Sequence, residues 1–299
     1  MTMAAPTRRK LPELVIRPEF EATDLQDAQI GDVARRLSPI ERIWNNNGFR
    51  KALILFSLVA AWQTYTVVDD VEPLMFPRFT VALEALYQAL FHGELISQIW
   101  YSVKVLFMGY GAGMAIAAVL VLWATVSRIG SDFIAMSSAM FNPLPAIALL
   151  PLATLWFELG TASLVFVLVH SVLWAVALST HTGFLNVSQT LRMIGRNYGL
   201  RGIGFVVKIL VPAAFPSILA GMKIGWAFAW RTLIGAELVF GASSGSGGLG
   251  WFIFIGNQEF ETEKVFAGLF MVILIGILVE NVIFRNVELR TVNRWGMQR

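Results

Sequence analysis

From residue 50 onward the chain alternates long apolar stretches with short polar segments. A helix needs about 20 apolar residues to cross ~30 Å of hydrocarbon. Six stretches meet that requirement, at 52–68, 103–126, 133–157, 162–181, 213–240 and 265–284. The third is interrupted by Asn142, Pro143, Pro145 and Pro151. Proline lacks the backbone donor and clashes with the preceding turn, so this span is predicted to be kinked or partly unwound. Freed backbone groups are not tolerated against lipid, so the span should face other helices or a wet cavity. The fifth stretch carries Lys223, Arg231 and Glu237. Outside the spans, Val81, Leu83, Leu86 and Leu90 predict a short amphipathic helix within 74–99, near the outer surface. In the N-terminal tail, 1–48, Ile30, Val33, Leu37, Ile40 and Ile43 interleave with Arg35, Arg36 and Arg42, a pattern suited to an interfacial helix. The expected architecture is an all-α membrane protein, with six transmembrane helices in residues 49–299.

Composition supports that reading. Hydrophobic residues make up 56% and charged residues 14%, with a mean hydropathy of +0.65, too apolar for a water-soluble protein of 299 residues. The net charge of +3 does not point to nucleic acid, because the basic residues flank the apolar stretches. Nine lie in the segment through Lys51, followed by Arg128, then Arg192, Arg196, Arg201 and Lys208, then Arg285, Arg290, Arg294 and Arg299. The alternate loops hold only Arg78 and Lys264 among many acids. The positive-inside rule therefore predicts a multi-pass membrane protein, surrounded by lipid, with both termini cytoplasmic. The polar tail has no apolar signal segment, so the first span is expected to insert the chain. Zero cysteines exclude disulfides, thiolate metal sites and cysteine nucleophiles. The glycine-rich run 241–250 lacks the Lys-Ser/Thr ending of a phosphate-binding loop and is expected to be an external turn. No Gly-Lys pair occurs anywhere in the chain, so it carries no ATPase of this kind.

The loop between the fourth and fifth stretches, 188–212, reads as two short helices around a glycine break, rich in basic residues and closed by Pro212. Glycine supplies a backbone conformation that other residues resist, allowing the helices to fold back as an elbow. Its apolar and basic surface at the membrane face suits a cytosolic partner. A plain basic connector is the alternative.

This segment resembles the coupling loop of permease subunits of binding-protein-dependent ABC importers. That loop has Glu-Ala-Ala, three residues, Gly, nine residues, then Ile-x-Leu-Pro. Here Gly199 is followed by nine residues and Ile209-Leu-Val-Pro212, while Met193-Ile-Gly195 stands in place of Glu-Ala-Ala. Phe76-Pro-Arg, His92-Gly-Glu-Leu95, Asn142-Pro-Leu-Pro145, Leu149-Leu-Pro-Leu152, Trp156-Phe157, Gly248-Leu-Gly250 and Arg294-Trp295 extend the likeness to the nitrate, sulfonate and taurine branch.

The resemblance implies a type I importer permease with no catalytic residues and no cofactor of its own. ATP and Mg would be bound by two cytosolic ATP-binding subunits. A second, identical permease copy would complete the solute path, and a periplasmic substrate-binding protein would deliver a small anion. The elbow would contact the ATPase through Arg192, Arg196, Gly199, Leu200, Arg201, Ile209 and Pro212. Asn142, Pro143, Pro145, Pro151, Arg231 and Glu237 are the pathway candidates, since ionisable groups and unwound backbone at membrane depth are costly and tend to be functional. Glu237 suits a structural hydrogen bond, Lys223 suits snorkelling, and Glu280 is expected to pair with an arginine after the last span. His170 and His181 are isolated and read as packing residues, so no metal site is expected. An ion-coupled secondary transporter is the rival class. It would want an acid at the bilayer midplane and internal repeats, whereas the membrane acids here lie near span ends.

Overall fold

The computed structural model describes residues 44–240 and 247–294, in which every regular element is helical. The interfacial helix expected in the tail, most of the glycine-rich turn and Trp295 lie outside these residues. Two units divide the chain, Met1–Leu58 and Val59–Arg299. In the first, Asn46 accepts the Gly48 N–H through its side chain at 2.8 Å, just where helix α1 (Asn47–Val68) begins. Leu53, Ile54, Leu55 and Phe56 are all exposed there.

The second unit continues with α2 (Phe79–Phe91), α3 (Leu95–Val126), α4 (Arg128–Phe141), a 3-10 turn (Ala146–Leu149) and α5 (Leu150–Phe157). Next come α6 (Thr161–Leu185), α7 (Gln189–Asn197), α8 (Gly202–Ala213), α9 (Phe215–Phe240), α10 (Leu249–Gln258) and α11 (Thr262–Asn293). Helix α6 is the centre of the packing and lies against both α3 and α9. Small residues allow the close approach. A β-carbon on Gly113 of α3 would come within 2.8 Å of Val172, and one on Gly221 of α9 within 2.6 Å of Ser179. In a membrane, where lipid is as apolar as leucine, such close backbone contact replaces hydrophobic collapse as the force that joins helices. Large apolar side chains elsewhere, such as Leu155, Ile129 and Phe107, remain exposed on the outer faces, as a lipid-facing surface requires.

Helices α1, α3, α6 and α11 are each long and apolar enough to cross a bilayer. Two bent pairs raise the number to six if each counts as one span: α4 with Ala146–Phe157, turning by 91°, and α8 with Phe215–Val239, turning by 78°. The protein is thus an all-helical, multi-pass membrane protein. The third apolar stretch is broken at Asn142–Pro145, because Pro143 and Pro145, two residues apart, each remove a helix donor. The short amphipathic helix expected within 74–99 is α2, which contains Val81, Leu83, Leu86 and Leu90. It stops at Phe91, and after Gly93 the chain turns directly into α3, which starts at Leu95.

Two features secure the ends of the bundle. Trp62 stacks on Phe76 (5.1 Å between centroids) and touches Phe79, Phe266 and Phe270, while its indole N–H donates to the Pro77 carbonyl at 3.0 Å. At the other end, Lys223 pairs with Glu288 at 2.7 Å and Glu280 at 3.6 Å. Glu280 therefore meets Lys223 rather than an arginine beyond the last span. The helix continues past 284 to Asn293 through two π-helical segments and brings Glu280 and Glu288 onto the Lys223 side.

Candidate functional site

The elbow is built from local rules. Ser188 caps α7, its hydroxyl accepting the Leu191 N–H at 3.4 Å. Helix α7 ends at Asn197, and two residues on, the φ of Gly199, 73°, lies in the left-handed region that a β-carbon disfavours. There the Gly199 N–H reaches the Arg196 carbonyl at 2.9 Å and the Leu200 N–H reaches the Gly195 carbonyl at 3.1 Å, satisfying two end carbonyls. Arg201 is extended, Gly202 is again left-handed at 55°, and α8 begins. The two helices then close on each other at Gly195. A β-carbon there would lie 2.8 Å from Ile209 and 2.9 Å from Phe205. Glycine at 195, which looked in the sequence like a lost motif residue, is what lets α7 seat on α8.

The seven elbow candidates divide by position. Arg192 turns inward: its Nε donates to the Val187 carbonyl at 3.1 Å and its Nη2 to the Phe184 carbonyl, closing the C-terminal end of α6. Ile209 and Pro212 are partly buried, and Leu200 is half-buried beside the glycine turn. Gly199, Arg196 and Arg201 are exposed. Around them lies an apolar face, with Met193 54%, Tyr198 82%, Ile203 72% and Val207 56% exposed.

The pathway candidates divide in the same way. A cavity of 380 Å³ opens where α4 breaks, bounded by the break itself, the middle of α6 and the middle of α9. It brings together Asn142, Pro143, Pro145 and Arg231, with His170, Ser171, Trp174 and Thr232. Arg231 donates through Nε to the Ala227 carbonyl at 3.0 Å, and its guanidinium carbon lies 5.2 Å from the Phe228 ring centre. Pro151 opens α5 and does not line the cavity.

Glu237 also stands apart. It is 2% exposed, with the Ser102 hydroxyl at 2.7 and 2.8 Å from its two carboxylate oxygens and the Gly250 N–H donating at 2.8 Å. The Leu249 N–H in turn donates to Ser102 at 2.8 Å. The carboxylate therefore sits at the N-terminus of α10, where helix amides favour negative charge, and joins α3, α9 and α10. Gly248 and Gly250 permit this, since a β-carbon on either would overlap the Glu237 side chain. Helix α10 itself is too short to announce a span, and the glycine-rich sequence around its start reads as a turn.

His181 bonds Ser131 at 2.9 Å, whereas His170 packs edge-on against Phe141. Among the described residues, no group of three or more His, Asp or Glu side chains is placed to hold a metal ion.

The family model for the binding-protein-dependent transport system inner membrane component matches residues 109–291, which include the cavity, the elbow and Glu237. The chain is 27% identical over 223 residues to SsuC of Escherichia coli strain K12, a permease protein named for aliphatic sulfonates transport, covering 75% of this chain and 83% of that one. It is 26% identical to the taurine transport system permease protein TauC of the same organism, covering 75% and 82% respectively. It is 24% identical to the nitrate import permease protein NrtB of Synechocystis, over 83% and 91%. A bent-span helical membrane domain with these matches along most of its length belongs to the family of binding-protein-dependent transport system inner membrane components, as a permease subunit of an ABC importer in the nitrate, sulfonate and taurine branch.

Proposed function

We propose that this permease carries a small anion, of the nitrate, sulfonate or taurine kind, inward across a bacterial inner membrane along the cavity at the broken span. The relatives' names supply the substrate class, and the cavity's chemistry agrees with it: among the described residues, Arg231 is the one charged group in its lining. Two copies of the chain would face each other across a two-fold axis, the usual symmetry of such assemblies. A periplasmic substrate-binding protein would deliver the anion, and cytosolic subunits would bind ATP and Mg beneath the pair. Both termini and the elbow would lie on the cytoplasmic side, which the distribution of lysine and arginine favours.

The observation that carries this reading is the elbow. A positive-φ glycine and a tight Gly195 contact hold an apolar and basic face outward at the head of α9. ATP-driven closure of the cytosolic subunits would move that face as a rigid body. Met193, Tyr198 and Ile203 are its apolar contacts, with Arg196 and Arg201 at the rim, while Arg192 holds the elbow to α6.

Co-purification tests it. The Met193→Glu/Tyr198→Glu variant should insert normally and keep its melting temperature yet lose the ATP-binding subunits. Retention of those subunits at wild-type stoichiometry would overturn the docking assignment.

A further inference from the structure

The cavity at the broken span has donors that its own chain leaves unused. Trp174 is 8% exposed and its indole N–H has no hydrogen-bond partner. Both ring nitrogens of His170 are likewise buried without partners. A neutral imidazole carries one N–H, so the pair offers two donors. Buried polar groups are nearly always satisfied, and an unpaired one forfeits its hydration without return. Two such residues, one turn apart on α6 and lining the same cavity as Arg231, call for a common occupant. Ser171 and Thr232 differ in this respect: their hydroxyls lie 3.1 Å apart and satisfy each other across α6 and α9.

The occupant's chemistry follows from the lining. Among the described residues no aspartate or glutamate lines the cavity, and Asn142 adds an amide to its lining. An indole N–H and a guanidinium are donors only, and a cation would find no counter-charge here. An oxyanion of four or five heavy atoms, such as nitrate or methanesulfonate, supplies several acceptors for the donors of Trp174, His170 and Arg231, which line one cavity of 380 Å³. Phe141, the last residue of α4 before the break, covers the site. Its ring stacks on Trp174 at 5.1 Å and meets His170 edge-on at 5.9 Å.

We infer that the permease itself contains an oxyanion-binding subsite, formed by Trp174, His170 and Arg231 and covered by Phe141. An anion reaches the two ring donors by turning the Phe141 side chain aside. The inference rests on the reading of this chain as a small-anion importer and adds to it a selective stop inside the membrane, separate from whatever the periplasmic binding protein recognises.

The test uses the full chain with its ATP-binding subunits in nanodiscs, without the binding protein. Equilibrium dialysis measures binding of labelled methanesulfonate, with nitrate as competitor and dimethyl sulfone as an uncharged probe of nearly the same shape. Saturable methanesulfonate binding that nitrate displaces and dimethyl sulfone does not is the expected result. Trp174→Phe keeps the stacking on Phe141 but removes the donor, and should weaken binding roughly tenfold, as should His170→Phe. Size-exclusion profile and melting temperature should stay unchanged in both, and Trp226→Phe, remote from the cavity, should bind as wild type. No saturable binding, equal binding of dimethyl sulfone, or wild-type affinity in Trp174→Phe would each overturn the subsite. Proteoliposome uptake with the binding protein present separates the two ideas: anion uptake alongside any of those results removes the subsite alone, whereas absence of anion uptake removes the importer reading as well.

Discussion

The hydroxyl of Ser102 donates across 2.7 Å to the carboxylate of Glu237, tying α3 to α9 through residues 135 apart in the chain. The same oxygen of Ser102 receives the Leu249 N–H, so one small side chain serves three helices. Ser102→Ala leaves both the carboxylate and that amide short of a partner inside the bundle. The expected cost is about 1–3 kcal/mol, visible as earlier loss of the monodisperse peak when the detergent-solubilised protein is heated. An unchanged profile would show that the network contributes nothing to stability.

Glycine at 248 and 250 is predicted to be just as necessary. Alanine at 250 would bring its β-carbon to 2.6 Å from both the Glu237 β-carbon and the Ile234 carbonyl, and alanine at 248 would meet the carboxylate itself. Overpacking of this kind costs ~1–3 kcal/mol. Gly111→Ala is the matched control, since a β-carbon there has nothing within 4 Å, and its melting temperature should hold or rise.

At the elbow, conformation rather than space is the constraint. Gly199 has open surroundings but a φ of 73°. Gly199→Ala should cost about 1 kcal/mol of local stability, and Gly199→Val more, because the left-handed region penalises a β-carbon and above all a branched one. Capture of the ATP-binding subunits and ATP-driven uptake should fall in that order while membrane insertion stays normal. Gly204→Ala, with equal room and an ordinary φ, should leave both readouts unchanged.

Arg231→Gln removes the charge from the cavity while retaining donors. Anion uptake should show a KM raised roughly tenfold, with membrane abundance unchanged. Identical kinetics would remove Arg231 from the solute path.

The ion pair between Lys223 and Glu288 should matter little to stability. Both side chains are nearly a third exposed, and such pairs contribute under ~1 kcal/mol. Lys223→Met should shift the melting temperature by only a few degrees at most, a loss smaller than that from Ser102→Ala.

Period and composition carry the helical class, the apolar stretches and the break at Asn142–Pro145, because lipid admits few backbone solutions and proline acts locally. The glycine break at Gly199 was legible for a similar reason, because such a turn depends on neighbours in sequence. Long-range contacts were not legible. Nothing in the pattern places Ser102 against Glu237, or shows that Gly248 is a point of close approach rather than a loop residue. Helix α10 hid for want of length. Trp174 and His170 look like ordinary apolar-span residues, and only the fold reveals that their ring nitrogens lack partners. Arg192 illustrates the opposite error: its charge and position suggested an outward contact, yet the carbonyls left open at the end of α6 draw it inward.

That inward turn gives the elbow two anchors. Through Arg192 it is fastened to the foot of α6, and through Leu210 and Ala214 it runs into the head of α9. Since α6 and α9 also pack along their lengths, a push on the exposed face cannot tilt one without loading the other. Their middle turns form two walls of the cavity. In the proposed import cycle the elbow would be the short arm of a lever, with the width of the cavity at the end of the long one.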